Sequence, residues 1–154
     1  MMLVAAIRPD DWNFPLFLHL VGAMTLVGAL LLVAVSLAGA GRGGSVATVR
    51  LGFRGLLFAA LPAWILMRVS AEWLANKENL DEDPPGWVDA GFMISDTGFL
   101  LLVAATVCAG LAARRAAREG AAGGSGLSRA VVVLAAIALV AYVFAIWAMT
   151  TKPS

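Results

Sequence analysis

Four ionisable residues stand inside stretches that are otherwise apolar. They are His19 in LFLHLVG, Arg68 and Glu72 in ILMRVSAEW, and Asp96 in MISDTGF. A charged side chain at the centre of a bilayer costs about 2.5–3.5 kcal/mol even on lenient insertion scales. Four such groups must meet one another, reach water or serve a ligand. Arg68 and Glu72 lie four residues apart, so on a helix they share a face with Trp64. Arginine before glutamate is the weaker order for a pair within one helix, which makes a partner on another helix attractive. The planar fork of Arg68 can bridge Glu72 and Asp96 together, leaving His19 to balance the remaining charge. The competing reading has Arg68 and Glu72 snorkelling to the interface as a helix anchor, which Asp96 is too short to do.

His19 is the sole histidine. It begins a face that continues through Gly22, where a flat ring or a neighbouring helix can approach closely. Haem ligation would use His19 with Met149, Met67 or Met93 as the second axial ligand. Membrane cytochromes of the b type need two histidines, so a hydrogen bond from His19 to Asp96 or to a carbonyl is the preferred reading. A metal on His19, Glu72 and Asp96 is opposed by the Arg68 cation in the same layer. The site assignment is therefore a ligand-binding one, His19, Arg68, Glu72 and Asp96, with no metal, and with the cofactor and any catalytic residue left open.

The elements that position these groups follow from composition. Of 154 residues, 61% are hydrophobic and 14% charged, against roughly 25% charged in a soluble domain. A chain this small cannot hide so much apolar surface from water. A net charge of +1 leaves no basic face for phosphates, so nucleic acid is excluded as a partner. Four segments approach the ~20 apolar residues that a spanning helix requires: about 14–38, 55–75, 91–113 and 130–150. None alternates as a barrel strand must. The expected fold is all-α, a single four-helix transmembrane domain over residues 1–154. Segment one is too long and uniform for a signal peptide and has no basic run ahead of it.

Arg42, Arg50, Arg54, Arg114, Arg115, Arg118 and Arg129 flank the connections between spans one and two and between spans three and four. The other side carries only Arg8, Lys77 and Lys152, beside Asp10, Asp11, Glu78, Asp81, Glu82, Asp83 and Asp89. This asymmetry places the arginine-rich side in the cytoplasm and both termini outside, in a multi-pass protein of the plasma (inner) membrane. Trp12, Trp73, Trp87 and Trp147 all fall near the outer boundary, the depth that tryptophan favours. Counted at about 1.5 Å per residue from the span ends, His19, Arg68, Glu72 and Asp96 share one layer in the outer leaflet.

The connections add little chemistry. GAGRGGS at 39–45 and EGAAGGSG at 119–126 are flexible linkers, and their likeness is not taken as an internal repeat. The outer loop KENLDEDPPGWVD is acidic, but Asp81, Glu82, Asp83 and Asp89 match no calcium loop. Cys108 is alone in an apolar run, so there is no disulfide framework. Pro62, mid-span, removes the hydrogen bond to the Phe58 carbonyl and is expected to kink span two below Arg68. Ala141, Ala145 and Ala148 form a small-residue stripe on span four, where Tyr142 can offer its hydroxyl to the polar layer. No phosphate loop, HExxH or nucleophile elbow is present.

The stretch LFLHLVGAMTLVGALLL, residues 16–32, resembles the first helix of small predicted integral membrane proteins of unknown function, which are distantly similar to the copper-resistance D type. The shared feature is a histidine early in the span followed by glycines, here Gly22 and Gly28. The resemblance implies a helical bundle, with redox, haem or copper-related roles among some members. Of the histidines of the copper-linked families, only His19 has a counterpart here. Three readings stand open. One is a membrane protein with an outward-facing polar site that binds a small ligand, a lipid headgroup or a quinone-like molecule. Another is a structural or accessory subunit, or a homo-oligomer, whose ion network fixes helix packing. A third is a haem or redox membrane protein. The expected partners are membrane lipid and a second copy or a larger membrane complex.

Overall fold

The protein is described by a computed structural model covering residues 10–40, 45–80, 85–120 and 125–151. Helix α1 spans Asp10–Ala40. The second span combines α2 (Val46–Gly55), a π-helical turn at Leu56–Ala60, and α3 (Leu61–Lys77). Helices α4 (Gly86–Glu119) and α5 (Ser125–Thr151) complete the bundle. All four spans are long and apolar enough to cross a membrane. The all-α four-helix bundle expected from the sequence is what forms, and it makes a multi-pass membrane protein.

The helices run past the apolar stretches that announced them. Arg50 and Arg54 lie on α2, Arg114, Arg115 and Arg118 on the last turns of α4, and Arg129 on the start of α5. They were expected in loops. The backbone gains a hydrogen bond for each residue added to an existing helix, so helices continue into water once nucleated. At 34 residues, α4 is about 51 Å long, well beyond a hydrocarbon core of ~30 Å. Its extension has a small core of its own, where Ala112, Ala113 and Ala116 bury against Val49 of α2. Helix α2 starts at Ser45, whose hydroxyl accepts from the Thr48 amide at 3.3 Å, a side-chain N-cap. The acidic residues Asp81, Glu82 and Asp83, and residues 41–44 and 121–124 of the two glycine-rich linkers, lie outside the described residues.

Pro62 acts differently from a simple kink. The turn before it is widened, and the Leu61 amide donates to the Leu56 carbonyl, five residues back. Proline lacks an N–H and its ring crowds the carbonyl four residues earlier, here that of Phe58. A π turn relieves that crowding and keeps the chain helical.

Around the bundle, span one packs against spans two and four, and α4 packs against α5. The fourth side of the ring is uneven. Helix α2 packs well on α4 at the arginine-bearing end, whereas α3 and α4 scarcely touch at the opposite end. Leu26, Leu30, Val33, Leu56, Leu102 and Val131 fill the middle. Inside lipid, such packing and close approach of small residues, more than water exclusion, hold helices together. Gly22 shows it. A Cβ there would stand 2.7 Å from the Met67 amide nitrogen and 3.0 Å from the Ala63 carbonyl. The α1 and α3 backbones can therefore approach this closely only at a glycine.

Candidate functional site

Arg68 reaches across the loose α3–α4 side. Its Nε donates to Asp96 Oδ1 at 3.1 Å and its Nη1 to Glu72 Oε1 at 2.6 Å. The guanidinium also stacks over the Phe92 ring, 4.4 Å from its centroid. One turn deeper, Trp64 Nε1 donates to the Ser95 carbonyl at 3.1 Å, and its ring stacks on Phe99 at 4.2 Å. Two long side chains of α3 thus span the gap that its backbone leaves. Three of the four residues singled out in the sequence do meet.

The two carboxylates turn outward. The side chains of Glu72 and Asp96 are 58% and 59% exposed, against 20% for Arg68. The triad lies along the outer edge of the seam instead of facing the bundle axis. The separation of α3 from α4 is the cause, because Asp96 turns towards the guanidinium bridging that gap. His19 is not part of the triad either. Its Nδ1 lies 3.0 Å from the Met67 carbonyl, and since a carbonyl only accepts, Nδ1 carries the proton. Of the two partners considered for it, Asp96 and a carbonyl, the carbonyl is the one observed. Nε2 has no partner among the described residues.

Behind Arg68 is a cavity of about 480 Å³ between α1, α3, α4 and α5, within the ~300–1,000 Å³ usual for ligand sites. Its walls are mainly hydrocarbon and methionine, with Ala71, Val88 and Met149 among them. Leu20 and Met24 of α1 and Ile146 of α5 line it and are exposed, so it opens sideways between α1 and α5. The polar side chains on its wall are His19, Arg68, Ser95 and Tyr142, with Glu78 and Thr150 towards the loop end. Glu72 and Asp96 do not line it.

The chain matches no family model, no curated protein and no solved structure.

Two cavity residues were not recognisable as a pair from the sequence. Ser95 and Tyr142 are 6% and 4% exposed, and neither hydroxyl has a partner at hydrogen-bond geometry among the described residues, the Trp64 indole beside Tyr142 already donating to the Ser95 carbonyl. Buried hydroxyls are nearly always satisfied, and leaving one unpaired costs about 1–3 kcal/mol. Serines on helices commonly bond back to a carbonyl, as Ser70 does to Leu66 at 2.6 Å. Ser95 does not. The Tyr142 hydroxyl packs against Gly98 of α4, where any Cβ would overlap it. Tyr142 was foreseen as a hydroxyl near the polar layer, but Ser95 carries no signal beyond its place beside Asp96.

Proposed function

We propose that the protein is a membrane binding protein whose cavity holds the compact polar group of an amphiphile, either a lipid headgroup or a quinone-like molecule. The observation that carries this reading is the pair of buried, unpartnered hydroxyls, Ser95 and Tyr142, on the wall of an otherwise apolar cavity. An occupant with hydrogen-bonding oxygens would satisfy them. The lateral opening suits a molecule that arrives from the bilayer with its tail left in lipid. The positive-inside asymmetry puts the cavity in the outer leaflet.

The test is organic extraction of protein purified with its native lipids, followed by mass spectrometry. Wild type is expected to retain one amphiphile in stoichiometric amount. Ala71→Trp and Ala23→Phe, each of which fills the cavity from a different helix, are expected to lose it while keeping their unfolding temperatures. Equal retention by well-folded filled variants, or no stoichiometric amphiphile in wild type, overturns the reading.

The structural-subunit reading has one observation in its favour, the outward exposure of Glu72 and Asp96. Carboxylates at membrane depth are stabilised by a neighbouring subunit's polar groups. Native mass spectrometry reads this directly, as a defined complex that Asp96→Asn weakens; a monomer in both proteins removes it.

A further inference from the structure

We propose that the cavity's occupant is a neutral ring carrying oxygens on opposite edges, of the isoprenoid-quinone class, and not a phosphate headgroup. This rests on the cavity being a ligand site and adds its chemical class. Charge is the first argument. The one cation at the cavity, Arg68, already serves two carboxylates, Glu72 and Asp96, and Glu78 lines the loop end. The carboxylates of Glu72, Asp96 and Glu78 outnumber the Arg68 guanidinium. A phosphate would add to that excess and would have to compete for a guanidinium held at 2.6 and 3.1 Å. An amine is equally unsuited, because the triad's two carboxylates lie outside the cavity and only Glu78, far from the two hydroxyls, lines it.

Placement is the second argument. The unpartnered hydroxyls belong to α4 and α5, while His19 projects from α1. Helices α1 and α4 are not packed neighbours in the ring, so Ser95 and His19 address the cavity from opposite walls. Tyrosine and serine hydroxyls donate to a carbonyl oxygen. His19 Nε2, left free because Nδ1–H is committed to Met67, can accept from a ring hydroxyl or, when it carries a proton, donate to a ring carbonyl. Both walls can therefore engage an oxygen of the same ring. A sterol-like ring with a single oxygen would satisfy only one wall. The apolar tail leaves between α1 and α5, past Leu20, Met24 and Ile146.

The experiment titrates delipidated full-length protein with a naphthoquinone bearing two isoprene units, and separately with dioleoyl phosphatidylglycerol, reading bound ligand by native mass spectrometry. Saturable quinone binding is expected in wild type, with phosphatidylglycerol failing to displace it. Tyr142→Phe and Ser95→Ala should each bind the quinone about fivefold more weakly, the worth of one hydrogen bond. Neither should unfold at a lower temperature, since neither hydroxyl has a protein partner at hydrogen-bond geometry and the phenylalanine ring retains the packing on Gly98. Phosphatidylglycerol that binds saturably and displaces the quinone overturns the class while leaving the ligand-site reading standing. Undiminished quinone affinity in both variants overturns the class as well. If neither probe binds, the class and the ligand site both fail.

Discussion

Arg68 is where the energetics of single residues can be read most directly. It holds Asp96 on the neighbouring helix and Glu72 on its own, so the three substitutions remove different amounts of interaction. Asp96→Asn takes one charged acceptor from a guanidinium that keeps the other, and should cost about 1.5–3 kcal/mol, the worth of a charge-assisted hydrogen bond. Arg68→Met strands two carboxylates at membrane depth and should cost more, about 3–5 kcal/mol. Glu72→Gln should cost least, because that pair lies within one helix and ties no two helices together. Thermal unfolding of the three variants in one detergent checks the order. An Asp96→Asn protein less stable than Arg68→Met would show that the strap across α3 and α4 is not what stabilises the seam.

At the scale of elements, the second span shows how a local rule and long-range packing combine. Proline in mid-helix demands that the turn before it change, and here the change is one widened turn at Leu56–Ala60. A π turn is equivalent to one extra residue in an α-helix, so it rotates everything beyond it relative to what precedes it. Helix α2 meets α1 and α4 on one side of that turn, and α3 meets α1 on the other, with Gly22 against Met67. Both faces are correct only with the turn in place or cleanly removed. Deleting Ala59 lets the π turn close to an α turn while both faces keep their register. Deleting Val69 offers no such escape and turns Ser70–Lys77 by about 100°. The first deletion should therefore yield folded, monodisperse protein with a lowered unfolding temperature, and the second should yield aggregate. Size-exclusion profiles of the two proteins separate the outcomes, and equal damage would remove any special tolerance at the turn.

For the molecule as a whole, the arginines on the helix ends bear on orientation and the helix packing decides where the opening falls. The arginines gather at the end closed by the α2–α4 contact and its small alanine core, and the cavity opens at the other end. Ser45 and Ser125 are exposed at the first end and Asn79 at the second. In a Cys108→Ala background, cysteines at Ser45 and Ser125 should resist a membrane-impermeant thiol reagent in intact cells, while one at Asn79 should react. The opposite pattern would place the cavity in the inner leaflet.

Composition and residue order alone determined the number of helices, their order and the Pro62 disturbance, because hydropathy and backbone chemistry are local properties of the chain. The contact of Arg68 with Glu72 and Asp96 was legible for the same reason: unpaired charge at that depth is too costly to leave alone, and depth is a count of residues. Only the tertiary structure decided which way the triad faces, what His19 bonds to, and that Ser95 and Tyr142 share a cavity wall. Each of these depends on how far apart two helices stand. That spacing is set by contacts between distant residues, such as Gly22 with Met67 and Gly98 with Tyr142, and by the poor packing of α3 on α4. No window along the sequence contains both partners of those contacts, so the space between the helices becomes readable only once they are packed.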